Sequence, residues 1–64
     1  MTLLLKKEIY QRKSVLKAID AYCSIATISF KENETDWICE FIKTEYDPTL
    51  TIQEFENYII SLEG

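Results

Sequence analysis

Ser14-Val-Leu-Lys17 is the first place in this chain where residue type and spacing suggest chemistry. A serine three residues before a lysine is the pair that serine acylases use. Those enzymes need a far larger scaffold and further motifs that are absent here, so the pair reads as a solvated helix face. Carboxylates are plentiful (Glu32, Glu34, Asp36, Glu40, Glu45, Asp47). Paired acid/base work, however, needs a cleft that drives two pKa values apart, and a core this thin offers little cleft. Cys23 and Cys39 are the remaining nucleophiles, but the chain has no histidine to activate them. Two thiols without histidine make no zinc site, and no glycine-bearing Asp-x-Asx calcium loop occurs. No catalytic residue, no metal ligand and no cofactor site is assigned, and the chain is expected not to be an enzyme.

Composition narrows the classes further. Sixty-four residues allow one domain, and at that size folding buries only about 60% of the chain's surface. The single glycine is Gly64 and the single proline Pro48, which removes glycine-rich phosphate cradles and proline-rich recognition segments. A hydrophobic share of 47%, with 12% aromatics, argues against disorder. Leu3-Leu-Leu5 precedes Lys6 and Lys7, the reverse of a signal peptide's order, and no apolar run reaches the roughly 18 residues of a membrane span. A cytoplasmic location is expected. Charge is uneven: residues 1–22 carry five basic and two acidic groups, while residues 23–64 carry two and nine, for a net −4. The basic first part, with Arg12, Lys13 and Lys17, could hold an anion or nucleic acid. An acidic protein with seven cations is nevertheless a poor phosphate neutraliser, so nucleic acid is not the favoured partner.

The elements that would position these side chains follow from periodicity. Thr2–Lys6 reads as a short strand with Leu3 and Leu5 on one face and Leu4 on the other. Residues 11–22 read as a helix, with Val15, Ala18, Ile19 and Tyr22 on its apolar stripe, widened by Leu16 and Cys23. Ser24–Lys31 and Asp36–Lys43 both alternate and flank a polar turn, which makes a hairpin. After a turn at Asp47-Pro48, Thr51-Ile-Gln-Glu54 reads as a capping box opening a helix to about residue 62. Ile52, Phe55, Ile59 and Leu62 form its stripe. The expected fold is α+β: a small two-layer β-α-β-β-α domain with both helices on one face of a short sheet. Without the first strand it reduces to α-β-β-α. A crossover from the first strand to a parallel neighbour would be right-handed.

Burial selects the hairpin register, because a one-residue slip exchanges the two faces. Phe30 opposite Trp37, Ile28 opposite Cys39 and Ala26 opposite Phe41 gives one wholly apolar face, with Lys31 and Asp36 as a cross-strand ion pair. In that register Cys23 and Cys39 lie roughly 16 Å apart at about 3.3 Å per residue, too far for a disulfide. Cys39 is expected in the core, with Trp37, Phe30, Phe41 and Phe55 as core rather than a base-stacking platform. On the other face Ile25, set opposite Ile42, and Ile38 form a second apolar set that two helices on one side cannot cover. Unless Tyr46 or the first strand's end folds over it, that surface or the strand edge beside it is expected to dock a protein, a peptide or a second copy of the chain.

The order of residues carries a resemblance. Glu8-Ile-Tyr10, Val15-Leu-Lys-Ala-Ile19, the alternating strand pair and Phe55-Glu-Asn57-Tyr-Ile-Ile60 resemble the HxsD family of the His-Xaa-Ser peptide-maturation systems. The likeness spans roughly residues 3–62. This chain departs from it at Asn57-Tyr58, where members tend to carry Asn-Glu. The resemblance implies a small accessory protein working beside radical-SAM enzymes on a ribosomally made peptide, and it implies no catalytic residue.

Overall fold

Alternation in the leucine run sets the first strand, and the computed structural model, which describes residues 1–63, places it at Thr2–Lys6 (β1). Helix α1 follows at Arg12–Ala21, then β2 at Ala26–Glu32, β3 at Asp36–Thr44 and α2 at Pro48–Glu63. This is the α+β order β-α-β-β-α. The three strands form one antiparallel sheet in the order β1-β3-β2. β1 and β2 therefore run parallel but are not neighbours, which corrects the expected crossover to an adjacent parallel strand. The reason is burial. β3 is the longest strand, nine residues, and carries large apolar residues on both faces, with Trp37, Cys39 and Phe41 on one and Ile38 on the other, so it gains most from the central place.

The hairpin keeps its expected faces but not its expected register. Phe30 lies opposite Cys39 and Ile28 opposite Phe41, two residues on from the expected pairing. A two-residue shift leaves every side chain on its own face. Asn33 decides between the two registers: its Oδ1 accepts from the Thr35 amide at 2.9 Å and the Asp36 amide at 2.7 Å. The Asn33 amide in turn donates to the Asp36 carbonyl at 3.1 Å, closing the hairpin there. Lys31 accordingly faces Ile38, and the expected Lys31–Asp36 ion pair does not form. The Asp36 carboxylate accepts from the Thr35 hydroxyl instead, at 2.7 Å. Between Thr27 and Ile28 the register breaks, leaving Ile42 as the extra residue of a bulge on β3.

Both helices pack on the inner face of the sheet. Val15 and Ala18 from α1 and Phe55 and Ile59 from α2 join Leu5, Ala26, Trp37, Cys39 and Phe41 in one core. Phe55 is fully buried and meets Phe41 and Tyr22 edge-on, with ring centroids 5.1 and 5.4 Å apart. Helix α2 starts a turn earlier than the Thr51 capping box implies. Asp47 caps it, its Oδ2 accepting from the Leu50 amide at 3.1 Å and its carbonyl from the Thr51 amide at 2.9 Å. Pro48 takes the first helical position, where the missing N–H costs nothing. Thr51 is thereby inside the helix and buried.

Helix α1 has no side-chain cap of its own, since Gln11 makes none. The far end of α2 supplies one: the Glu63 carboxylate accepts from the Gln11 amide at 3.0 Å. An anion is favoured at that positive helix end. Hydrogen bonding from Ser14, and then from the Gln11 amide, holds the Glu63 carboxyl below its ordinary 4.5.

Candidate partner-docking surface

The outer face of the sheet is the one that neither helix covers. Along β3, Ile38, Glu40 and Ile42 alternate outward from the buried Trp37, Cys39 and Phe41. Across β1, Leu4 sits opposite Ile38 and Thr2 opposite Glu40, while across β2 the same two residues face Lys31 and Ser29. Leu4 is 57% exposed and Ile42 66%, with Ile38 half-buried between Leu4 and the Lys31 stem. Tyr46, which could have folded over this surface, stands 66% exposed, and β1 lies in the plane of the sheet. The apolar strip remains open, with a carboxylate at its centre and lysines at its border.

Ile38 and Ile42, expected on this surface, are both there. Ile25 is not opposite Ile42. It precedes β2, and its carbonyl accepts from the Glu45 amide at 2.8 Å, which sets it half-buried beside Cys23 and Lys43 at the sheet's end. Sequence reasoning missed Leu4 as a member of this surface. Its signal was present in the alternation of the leucine run, but only the pairing of β1 with β3 tells which isoleucine it adjoins.

The basic residues of the first helix do not assemble into one free patch. The Arg12 guanidinium lies over the Phe30 ring, 5.9 Å from its centroid, and its charge helps hold the Glu32 carboxyl low. Lys13 acts in the same way on Glu63. Lys13 and Lys17 line a shallow depression with Ser14 and Leu62. Ser14 is buried between the helices, so the Ser-x-x-Lys pair presents no open hydroxyl.

At the hairpin end a second cluster is closed on itself. The Lys7 ammonium pairs with the Glu32 carboxylate at 2.6 Å and sits 4.7 Å above the Trp37 ring. Trp37 stacks with Phe30 and donates its indole N–H to the Tyr10 carbonyl at 2.9 Å. These rings join the first loop to the sheet, the core role expected of them. The hydrogen bond from Lys7 is the main reason that Glu32 titrates below its ordinary 4.5.

Both cysteines are free thiols. Burial pushes the Cys39 thiol up to about 11, so it stays protonated and unreactive, whereas Cys23 is exposed. Among the described residues, no group of three His, Cys, Asp or Glu side chains is placed to hold a metal ion. None of their helices is long and apolar enough to cross a membrane. No family model, no curated protein and no solved structure matches the chain.

Proposed function

We propose that this chain is a non-catalytic interaction domain that binds a protein or peptide partner on the outer face of its sheet. One observation carries the reading: a three-stranded sheet with helices on one side only leaves Leu4, Ile38 and Ile42 facing outward, two of them more than half exposed. Apolar residues grouped on a sheet face are stabilised when covered, and a partner is what would cover them. The inert Cys39 and the buried Ser14 support a binding role over a catalytic one. The residues shared with HxsD-like proteins suggest the setting, an accessory protein in the cytoplasm beside radical-SAM enzymes that mature a ribosomally made peptide.

A titration with a synthetic peptide of repeated His-Xaa-Ser triplets, and separately with a radical-SAM maturation enzyme, tests this by amide chemical shifts. Shifts are expected at Leu4, Ile38 and Ile42. Leu4→Lys and Ile42→Lys, both at exposed positions, are expected to weaken binding about tenfold, the equivalent of about 1.4 kcal/mol. Unchanged spectra with both probes, or binding indifferent to both variants, would refute the reading. Binding centred instead on Arg12, Lys13 and Lys17, and falling steeply with salt, would mark an anion-binding module.

A further inference from the structure

The ladder leaves one long strand edge without a partner. The Met1 carbonyl accepts from Phe41 and the Thr35 carbonyl from Lys7, so on β3 the odd-numbered residues bond toward β1. The Asn33 amide donates to Asp36, so the even-numbered residues of β3 bond toward β2, through Lys31 and Ser29. Ile28, Phe30 and Glu32 of β2 therefore direct both N–H and C=O away from the sheet. β1 offers a poorer edge. It is two residues shorter, and the Lys6 carbonyl is already taken by the amides of Ile9 and Tyr10.

We infer that β2 pairs with β2 of a second copy, antiparallel across a two-fold axis at Ser29, to make one continuous six-stranded sheet. The hydrogen-bonding polarity requires even residues to pair with even residues, and same-face burial selects among the registers that remain. With the axis at Ser29, Ile28 meets Phe30 of the other copy and Phe30 meets its Ile28. Both are apolar and only half-buried in the single chain. On the outer face Lys31 meets Thr27, so the two lysines lie about four residues apart along the sheet and do not oppose each other. Moving the axis to Phe30 would set Ile28 against a Glu32 carboxylate, and moving it to Ile28 would leave Glu32 paired outside the strand. Two of the usual guards of a free edge are also missing from β2: it has no proline, and the bulge lies on β3; its one inner-face charge, Glu32 at the strand's end, is taken up by Lys7. This association goes beyond the outer-face reading. Its test uses the isolated chain without any partner, so either can fail while the other stands.

Sedimentation of the chain from micromolar to millimolar concentration is expected to show a monomer–dimer equilibrium. Over the same range, exchange of the Ile28 and Phe30 amides is expected to slow about tenfold. Ser29→Cys in a Cys23→Ser background places two thiols at a non-hydrogen-bonded pair, about 4.5 Å between Cα atoms and within disulfide reach. It should cross-link faster under mild oxidation than Thr27→Cys or Lys31→Cys in the same background. Ser29→Lys sets like charges opposite each other across the axis, while Glu40 lies opposite within its own sheet. It should therefore stay folded and sediment as a monomer. A wild-type monomer throughout the range, equal cross-linking at the three positions, or a dimeric Ser29→Lys variant would each overturn the inference.

Discussion

Glu63 and Glu32 show how far a charged side chain can act from its place in sequence. Glu63 closes the start of α1 from the opposite end of the chain, and Glu32 holds Lys7 over the Trp37 ring. Both carboxyls titrate below 4.5 in the fold. For a carboxyl with a lowered folded value, the stability it contributes is complete above the unfolded value and is lost as pH falls through the folded one. Chemical denaturation midpoints should hold steady at neutral pH and decline below about pH 4.5, and Glu63→Gln should flatten part of that decline. The two cysteines differ for the opposite reason, exclusion from water. Iodoacetamide is expected to label Cys23 and leave Cys39 untouched until the protein unfolds, as mass spectrometry of the labelled protein would report. Periodicity was enough to place Cys39 in the core. Nothing in the sequence marks Glu63 as a cap, because the contact joins residues 52 apart.

At the level of elements, the polar residues of the turns decided what apolar periodicity left open. The stripes of both helices and the inward faces of all three strands were legible in the spacing of Leu3, Leu5, Val15, Ala18, Phe55 and Ile59. Helix starts and strand registers depend instead on which short polar side chain wins the local hydrogen bonds. Two candidates competed at the start of α2, the Thr51–Glu54 box and Asp47. Asp47 prevails because Pro48 suits the first helical position and because Thr51 is buried within the helix. Asp47→Ala should cost about 1 kcal/mol and lower the melting temperature by about 4–8 °C, while Glu54→Gln should leave it nearly unchanged. Asn33 plays the matching part in the hairpin, where its two hydrogen bonds accepted from the Thr35 and Asp36 amides favour a register that hydrophobic burial alone could not distinguish.

For the whole molecule, one small core governs stability. Phe55 is wedged between Phe41 and Tyr22, and Phe55→Ala should cost about 3–5 kcal/mol. That is comparable with the entire stability expected of a domain this size at about 0.05–0.15 kcal/mol per residue, so circular dichroism should find the variant largely unfolded at room temperature. Composition had already implied more apolar surface than one sheet face under two helices can hide, and the open strip of Leu4, Ile38 and Ile42 is where part of that surplus lies. By itself the sequence determined the fold class, the two helices and the hairpin, the core-facing residues and the presence of an uncovered face, because each depends on side-chain periods of 2 or 3.6 that are written locally, while the first strand was left open until its pairing with β3. The tertiary structure decided the strand order, the two-residue register shift, the removal of Ile25 from the Ile42 pair and the joining of Leu4 to Ile38. Those depend on which strand gains most by being central and on hydrogen bonds between distant residues, and neither leaves a period in the chain.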